Sequence, residues 1–347
     1  MKSFSEEYLN KIRITPQLLN LTSALSEYKG KEALYARQSP DVLEKLVERA
    51  KVESVESSNR IEGIDVKRDR VVDIVQQQSA PRTRPEEEVA GYRDALGYIH
   101  ENHQAVPVSL HTITMLHQSL YKYTQQTGGE FKREDNQIID RLKDGSIRVR
   151  FQPPPAGQTY YFVESLVAGY QFASQKRNFS PLVLIPLFVL DYLCIHPFTD
   201  GNGRTARLLC LLLLYHAGFR VGKYISLERV VEDSKETYYE ALERSSRGWH
   251  ELEHDAGPWL HYFYGVLLAA YKELESRVGV IREESSKTEQ IKLFVKKTVK
   301  PFAISEIEEA CPNISRDMIR VVLRELRDGG LIASTGMGRG AKWIRKG

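Results

Sequence analysis

Residues 196–207 read His-Pro-Phe-Thr-Asp-Gly-Asn-Gly-Arg-Thr-Ala-Arg. Apolar runs flank its polar part, His196 to Arg204, with Leu182 to Ile195 before and Thr205 to His216 after, which predicts a polar loop between two buried helices. Its glycines let the backbone approach an anion closely, and the free amides at the start of the second helix favour phosphate. The Gly-Lys-Ser/Thr ending of a Walker A loop is absent, so the sequence predicts a different kind of anion-binding loop.

The charged side chains of this loop fit chemistry at phosphorus. Arg204 and Arg207 lie three residues apart in the first turn of the predicted helix, so both can face one polyphosphate. Asp200 offers a hard oxygen ligand for a magnesium ion that keeps most of its waters. His196 can accept a proton from a hydroxyl group that attacks phosphorus. Together these groups predict phosphoryl or nucleotidyl transfer.

The loop also resembles the signature of the Fic family, His-x-Phe-x-Asp/Glu-Gly-Asn-Gly-Arg-x-x-Arg, at every fixed position. The similarity extends through Gly129-Glu-Phe-Lys-Arg133, a hairpin before Pro153 and a Tyr238-Tyr239 helix, and so covers residues 30–275. This resemblance implies a protein adenylyltransferase, which transfers AMP from ATP to a Ser, Thr or Tyr hydroxyl group of a target protein.

The resemblance also implies roles for single residues. His196 would deprotonate the target hydroxyl, and Asp200 would hold Mg²⁺ on the α- and β-phosphates. Asn202, Gly203 and Arg204 would cradle the phosphates. Arg207 would grip the γ-phosphate, Phe198 would anchor the loop, and Tyr238 or Tyr239 would contact the adenine side, although ordinary helix packing explains the two tyrosines equally well. The residues expected to bind the nucleotide are therefore Glu62, Thr199, Asp200, Gly201, Asn202, Gly203, Arg204, Arg207, Tyr238 and Tyr239.

A second motif lies upstream, near the end of a helix predicted from the spacing of apolar residues over Val42–Val55. Ser58-Asn-Arg-Ile-Glu62-Gly63 resembles the inhibitory motif of the same family, Ser/Thr-x-x-x-Glu-Gly/Asn. Ser58 and Glu62 share one helix face, so Glu62 can pair bidentately with Arg207 and occupy the charge that the γ-phosphate needs. A glutamate at a helix end followed by a glycine cap is the alternative reading.

The segment from Asn136 to Pro155 alternates polar and apolar residues around Lys143-Asp144-Gly145, which predicts a β-hairpin ended by three prolines. A lone hairpin is marginal in water, so it should lie over the helical body as a flap. The family resemblance implies that the flap docks the target protein by strand addition. A surface ornament is the alternative from this segment alone.

Length and charge predict more than one domain. The 347 residues are 41% hydrophobic and 27% charged, which is in the globular range. We expect a mainly α fold: an N-terminal helical region over residues 1–100, a Fic-type helical core with the hairpin flap over 101–280, and a small C-terminal domain over 287–347. From Lys287 onward, seven Lys and six Arg face five Glu and two Asp, a net charge of +6 in a chain of net charge +3.

The C-terminal segment predicts two short helices, Ile304–Ala310 and Ser315–Arg327, followed by two strands around the glycine-rich residues 336–340. This order resembles a winged helix-turn-helix. Arg316, Arg320 and Arg324 fall on one polar face of the second helix, where they could contact DNA. A solvated face that contacts protein instead is the alternative.

Other features concern location and class. The longest apolar stretch, Pro181–Ile195, contains Asp191 and is too short for a membrane span. The first residues carry acids where a signal peptide needs positive charge, and three sparse cysteines fit a reducing compartment, so we expect a cytoplasmic protein without membrane contact. Apolar helical surfaces are compatible with a homodimer, but no residue pattern identifies its interface.

Three further readings compete with adenylyl transfer under autoinhibition. His250-Glu-Leu-Glu-His254 fits the zinc pattern His-Glu-x-x-His, although its polar flanks do not fit a zinc helix and the third histidine of the longer motif is missing. The same loop could transfer another nucleotide or remove AMP. A nucleotide-responsive DNA-binding regulator is the reading without enzymatic activity.

Overall fold

The computed structural model describes residues 2–38, 40–141, 145–298, 300–335 and 342–345. They form two compact units, residues 1–274 and 275–347, and the division falls inside one continuous helix. The helices are α1 (Glu6–Lys11), α2 (Pro16–Gln38), α3 (Pro40–Ile61), α4 (Arg68–Val75), α5 (Arg84–Asn102), α6 (Leu110–Leu120), α7 (Thr159–Lys176), α8 (Pro181–Ile195), α9 (Asn202–His216), α10 (Leu227–Asp233), α11 (Lys235–Ser246), α12 (Gly257–Lys297), α13 (Ile304–Ala310) and α14 (Arg316–Asp328). The strands are β1 (Ile138–Arg141), β2 (Ile147–Phe151), β3 (Ile332–Thr335) and β4 (Lys342–Arg345).

Helices α8 and α9 form the centre of the first unit. Ser180 caps α8 by accepting a hydrogen bond from the Leu182 amide, and Pro181 supplies the first helical residue with its preset φ. Nearly all of α8 is buried, and α9 packs against it with a buried run of leucines. The prediction of a mainly helical fold is therefore confirmed.

The link between these two helices is shorter than the sequence predicted. α9 begins at Asn202 and not at Thr205, because Gly201 adopts a left-handed conformation with φ 76° and lets the chain turn directly into the helix. A Cβ at Gly201 would also meet the Tyr121 hydroxyl at 2.9 Å. Asn202, Gly203 and Arg204 therefore belong to the first turn of α9.

Helix α3 extends beyond Val55, its predicted end, and includes Ser58 to Ile61 of the upstream motif. It ends at Ile61, and Gly63 turns the chain with φ 82° while the Ile64 amide donates back to the Asn59 carbonyl, 3.0 Å away. This is a Schellman cap, and it leaves Glu62 as the last residue before the glycine. The motif is thus fixed at the rigid end of a long helix.

The hairpin of β1 and β2 is antiparallel, with Ile139 opposite Val149 and Arg141 opposite Ile147. Ile139, Ile147 and Val149 are exposed. Of the predicted turn Lys143-Asp144-Gly145, the first two residues lie outside the described residues. The hairpin prediction itself agrees with the strands.

The second unit contains the end of α12, then α13, α14, and the antiparallel pair β3–β4, with Phe302 joined to Trp343 by two backbone hydrogen bonds. The charged segment 277–287, predicted to be a boundary, lies within the continuous helix α12. The predicted helices and strands of the C-terminal segment form, while residues 336–340 lie outside the described part. The winged-helix interpretation stays a prediction.

The exposed arginines of α14 are largely paired within the unit. Arg316 lies 3.3 Å from Glu308, and Arg320 lies 3.0 Å from Asp317. Arg324 donates to the Arg320 carbonyl. The predicted basic face is therefore interleaved with acids, and its contact with DNA stays a prediction.

None of the helices among the described residues combines the length and the apolar character that a membrane span requires.

Candidate active site

His196 stands at the point where α8 ends. It caps the helix in a left-handed conformation, φ 49° and ψ 60°, which costs a residue with a Cβ about 1–2 kcal/mol. Its Nδ1 lies 3.3 Å from the Leu193 carbonyl. Burial, with a smaller contribution from the Lys132 charge, lowers the pKa of His196 to about 4. The imidazole is therefore neutral at pH 7 and able to accept a proton.

The middle of the loop is held by the side chains of Asn202 and Phe198. The Asn202 Oδ1 accepts from the Phe198 amide at 2.9 Å, and its Nδ2 donates to the Phe198 carbonyl at 2.7 Å. The Phe198 ring is buried, which confirms its role as an anchor. The side-chain carboxamide of Asn202 thus fixes the loop. It is not directed toward a phosphate, as the sequence predicted.

His117 of α6 completes this support and was missed by sequence reasoning. Its ring stacks on Phe198 with 3.6 Å between centroids, and its Nε2 lies 2.9 Å from the Asp200 carbonyl. The Gly129 amide donates to Nδ1, so Nε2 carries the proton and donates to Asp200. Burial lowers the pKa of His117 to about 4. The sequence indicates this role only weakly: His117 lies four residues before Tyr121, so the two side chains share one face of the helix.

Arg204 occupies a different place from the one predicted. Its guanidinium group is 1% exposed and lies 2.6 Å from Glu88 of α5, and it also donates to the Tyr121 hydroxyl at 3.1 Å. The Arg204 side chain therefore points into the protein and joins α9 to α5. Its backbone amide still belongs to the first turn of α9, where it precedes the intrahelical hydrogen bonds.

The start of α9 faces a carboxylate from α3. A Cβ at Gly203 would collide with the Glu62 Oε1 and lie 3.3 Å from the Arg207 Nη1, so only glycine allows this approach. The amides of Asn202, Gly203 and Arg204 precede the first intrahelical bond, from Thr205 to Gly201. Glu62 thus lies where the helix dipole favours an anion.

Arg207 joins both halves of the upstream motif. Its Nε donates to the Ser58 Oγ at 2.9 Å, and its Nη2 donates to the Ser58 carbonyl and to the Glu62 Oε1, each at 2.8 Å. The predicted bidentate pair with Glu62 does not form, because Ser58 takes the Nε. The buried Nη1 has no hydrogen-bond partner among the described residues.

Electrostatics favour this arrangement. Burial alone would lower the pKa of Arg207, but the Glu62 carboxylate, together with Tyr238 and Tyr92, outweighs it and raises the pKa above its usual value. Ser58 is fully buried, whereas the Glu62 side chain keeps 29% exposure. The contact is therefore a charged pair at the edge of an open site.

Asp200 fits the predicted magnesium ligand. Its side chain is 65% exposed, and Oδ1 accepts from the Gly201 amide at 2.7 Å. Across the described ranges, no group of three or more His, Cys, Asp or Glu side chains could hold a metal ion. A single exposed carboxylate is compatible with Mg²⁺, which keeps several waters and takes its remaining ligands from a bound phosphate. Thr199 beside it is exposed and faces solvent.

A cleft of about 210 Å³ opens beside these groups, between the hairpin and α11. Its lining residues include His196, Glu62, Gly203, Arg150, Tyr238 and Tyr239. Arg150 of β2 lies over the Tyr239 ring, 5.0 Å from its centroid, and Arg148 pairs with Glu243 at 3.1 Å. The cleft thus joins the predicted base, the Glu62 carboxylate, and both tyrosines.

The zinc reading is wrong for the described residues. His250 and His254 lie in turns and irregular backbone instead of on a helix. The His250 Nε2 lies 2.8 Å from the Gln152 carbonyl, while His254 is buried and stacks on Tyr8. The two rings therefore serve the hairpin and the core separately.

Comparison with known proteins agrees with this site. Residues 107–214 match the model of the Fic/DOC family. The protein adenylyltransferase Fic of Drosophila mojavensis is 31% identical over 134 residues, 38% of this chain and 24% of that relative. The relative of the same name from Nematostella vectensis is 33% identical over 79 residues, 23% of this chain and 18% of that relative. The chain therefore spans about a quarter or less of the length of these curated relatives.

Solved structures share the fold. A Fic family protein from Desulfovibrio desulfuricans superposes with a TM-score of 0.67 at 20% identity, over 96% of this chain and 97% of that one. A Fic-1 fragment from C. elegans superposes with a TM-score of 0.56 at 18% identity, over 77% and 72%. Residues 107–214, which carry the signature loop, therefore match the Fic/DOC family, and the chain shares its fold with solved Fic family proteins.

Proposed function

We propose that this chain is a protein adenylyltransferase that transfers AMP from ATP to a hydroxyl side chain of a target protein, and that Glu62 inhibits it. The observation that carries the proposal is the Glu62 carboxylate at the start of α9, paired with Arg207 at 2.8 Å. A helix start and a buried cation that together hold one carboxylate are suited to a phosphate. The names of the curated relatives point to the same reaction.

In this reaction His196 is the general base. The hydroxyl oxygen of the target attacks the α-phosphorus of ATP while its proton passes to an imidazole nitrogen of His196. The bond from the α-phosphorus to the bridging oxygen breaks, and pyrophosphate leaves. The depressed pKa of His196, about 4, keeps the base free of a proton at neutral pH.

The phosphates are bound by the start of α9. The amides of Asn202, Gly203 and Arg204 would donate to phosphate oxygens, and Arg207 would pair with the γ-phosphate once Glu62 leaves. Asp200 would hold Mg²⁺, which neutralises phosphate charge and orients the leaving group. The side chains of Asn202 and Arg204 support this cradle from behind.

The rest of the cleft would take the nucleoside and the target. Tyr238 and Tyr239 line the same cleft as His196 and Gly203, where they would contact the base. The hairpin of residues 136–155 presents exposed Ile147 and Val149 next to the cleft. We propose that it pairs with an extended segment of the target protein through backbone hydrogen bonds.

Glu62 would inhibit by occupying the γ-phosphate position. The rigid end of α3 supplies its carboxylate, and Ser58 holds the Arg207 guanidinium in place. The pair forms within one chain, which supports inhibition in cis. ATP that enters against this pair would bind with its α-phosphate out of line with the attacking hydroxyl.

The test is transfer of radioactive label from α-labelled and γ-labelled ATP with Mg²⁺, to the protein itself or to proteins in a lysate. We expect label only from α-labelled ATP, more of it with Glu62→Gly, and none with Glu62→Gly combined with His196→Ala. Glu48→Ala, on an exposed part of α3, is the matched control and should behave as the unsubstituted chain. Absence of α-label transfer by Glu62→Gly would overturn the proposal.

The same assay separates the alternatives. α-labelled UTP, GTP and CTP report transfer of another nucleotide. Loss of label from a modified protein after addition of unlabelled chain reports removal of AMP. A regulator without transfer activity would instead bind duplex DNA through residues 275–347 with a steep salt dependence.

A further inference from the structure

A buried lysine lies directly behind the loop that carries His196. Lys132 is 4% exposed, and it lies in the segment that leads into the hairpin. Its Nζ donates to the Asn136 Oδ1 at 2.8 Å and to the Ile195 carbonyl at 3.3 Å. Its backbone amide donates to the Pro197 carbonyl at 2.9 Å. A lysine this deeply buried is uncommon and calls for a specific role.

Asn136 extends the same contact to the next residues. Its Nδ2 donates to the His196 carbonyl at 3.3 Å and to the Phe198 carbonyl at 3.2 Å. Lys132 and Asn136 together therefore bind the carbonyl oxygens of four consecutive residues, 195–198. These are the residues around the left-handed His196, a conformation that surrounding contacts must hold.

We propose that Lys132 is a positioning residue for His196: with Asn136 it fixes the backbone that carries the imidazole, and it places a positive charge near the ring. The inference rests on the proposed function, because the proposed function assigns His196 as the general base. The lysine touches neither ATP nor the target hydroxyl in this scheme, and acts only through His196.

The charges around the two groups support this role. The charged groups that act on the imidazole are Lys132, which lowers its pKa, and Glu62 and Asp200, which raise it. Burial lowers the pKa of Lys132 to about 8, and only the Asp135 carboxylate opposes this effect. The lysine is thus mostly charged at pH 7 and disfavours a second positive charge on His196.

The simpler alternative is that Lys132 only anchors the base of the hairpin. The two ideas differ in what happens to the titration of His196. If Lys132 were only an anchor, replacing it by a neutral side chain of similar length would leave the pKa of His196 unchanged as long as the protein folds. If Lys132 positions His196 and acts on it through its charge, the same replacement changes that pKa.

The experiment compares Lys132→Met, Lys132→Arg and, as a matched control, Arg133→Met, all in the full chain with Glu62→Gly. Arg133 is the neighbouring cation, 84% exposed, and pairs with nearby Glu130 at 2.7 Å. The His196 pKa is followed by ¹H–¹³C NMR of the histidine rings, with the signal assigned by its loss in His196→Gln. The rate of α-label transfer is measured over the same pH range.

We expect the His196 pKa to rise toward its usual value in Lys132→Met, with transfer slower by about ten- to a hundredfold at pH 7. Lys132→Arg should keep the low pKa and recover most of the rate, and Arg133→Met should change neither. A folded Lys132→Met protein with an unchanged His196 pKa would overturn the inference.

Two further results keep the test decisive. If Lys132→Met does not fold, Asn136→Ala removes the hold on the His196 carbonyl while the cation stays, and an unchanged transfer rate there would also count against the inference. The NMR titration needs no transfer activity. A shifted His196 pKa without label transfer in any variant would therefore reject the proposed function while supporting the link between Lys132 and His196.

Discussion

The Arg207 Nη2 and the Glu62 Oε1 lie 2.8 Å apart, and the same oxygen lies where a Cβ on Gly203, at the start of α9, would collide with it. One carboxylate therefore occupies both features that would bind a terminal phosphate, the cation and the helix start. Because the pair is already formed, a terminal phosphate can pair with Arg207 only after Glu62 leaves. The relationship makes the motif on α3 and the loop before α9 parts of one site.

The first prediction concerns how the site distinguishes ATP from ADP. While Glu62 holds Arg207, the γ-phosphate adds little to the binding free energy. The unsubstituted chain should therefore bind ATP and ADP with similar Kd values. In Glu62→Gly the guanidinium is free, and a charge-assisted hydrogen bond is worth about 1.5–3 kcal/mol, so ATP should bind roughly ten- to a hundredfold more tightly than ADP. Isothermal titration calorimetry with Mg²⁺ measures both constants.

The control for this prediction is Arg207→Met combined with Glu62→Gly, which should lose the preference for ATP. Glu48→Ala, whose side chain is 66% exposed on the same helix, should leave both constants unchanged. A preference for ATP that is equally large in the unsubstituted chain would show that Glu62 does not occupy the γ-phosphate position.

The second prediction concerns the pH dependence of transfer. Burial lowers the pKa of His196 to about 4, so the base stays free of a proton well into the acid range. The kcat/KM of Glu62→Gly should therefore be nearly flat between pH 5 and pH 7. A histidine with its usual pKa would lose about 25-fold over this range. Initial rates of α-label transfer in buffers of constant ionic strength distinguish a lowered His196 pKa from a usual one. A rate that is half-maximal near pH 6.5 would contradict the lowered pKa.

The loop and its motif were readable from sequence because their chemistry is local. His196, Asp200 and Arg207 sit within twelve residues, and glycines at 201 and 203 announce a turn and a close approach. Each is placed by its own helix end, so spacing along the chain was enough to bring them together. The helical fold followed from apolar periodicity in the same way.

The supporting residues were not readable, because they come from distant segments. Glu88 of α5 and His117 of α6 contact the loop or the start of α9, and nothing in their local sequence marks them. Lys132 lies in the segment Gly129–Arg133 that the family resemblance covers, but that segment does not reveal its contact with the Ile195 carbonyl. For the same reason the sequence assigned the Arg204 side chain to a phosphate. Its partner Glu88 lies 116 residues away, and only the packing of α5 against α9 brings the two together.

The third prediction separates the structural role of Arg204 from phosphate binding. Glu88 has two partners, the buried Arg204 at 2.6 Å and Arg84 at 3.3 Å, whose side chain is 60% exposed. Removing one partner of a buried pair leaves an uncompensated charge, so Arg204→Met should lower the free energy of unfolding by about 3–5 kcal/mol. Arg84→Met should lower it by less than about 1 kcal/mol.

Urea unfolding followed by circular dichroism measures both variants. Arg84→Met is the matched control, because it removes a cation from the same carboxylate at the surface. If Arg204→Met kept its full stability and lost only affinity for ATP, Arg204 would be a phosphate ligand, as first predicted from the sequence.

The fourth prediction concerns Asp191, a fully buried carboxyl group in the middle of α8. Its Oδ1 accepts from the Ser3 hydroxyl at 2.9 Å and from the Trp249 Nε1 at 2.6 Å, yet burial outweighs both and raises its pKa to about 7. The folded chain therefore holds this proton where the unfolded chain has released it, and stability is lost as pH rises through about 7. Between pH 5 and pH 8, Asp191→Asn should gain about 2–3 kcal/mol of unfolding free energy relative to the unsubstituted chain.

Urea unfolding at both pH values measures this difference. The control is Asp233→Asn, which removes a carboxylate that is 64% exposed and should show almost no difference. Equal pH dependence in Asp191→Asn and the unsubstituted chain would mean that the carboxyl group is already ionised in the folded protein at pH 5.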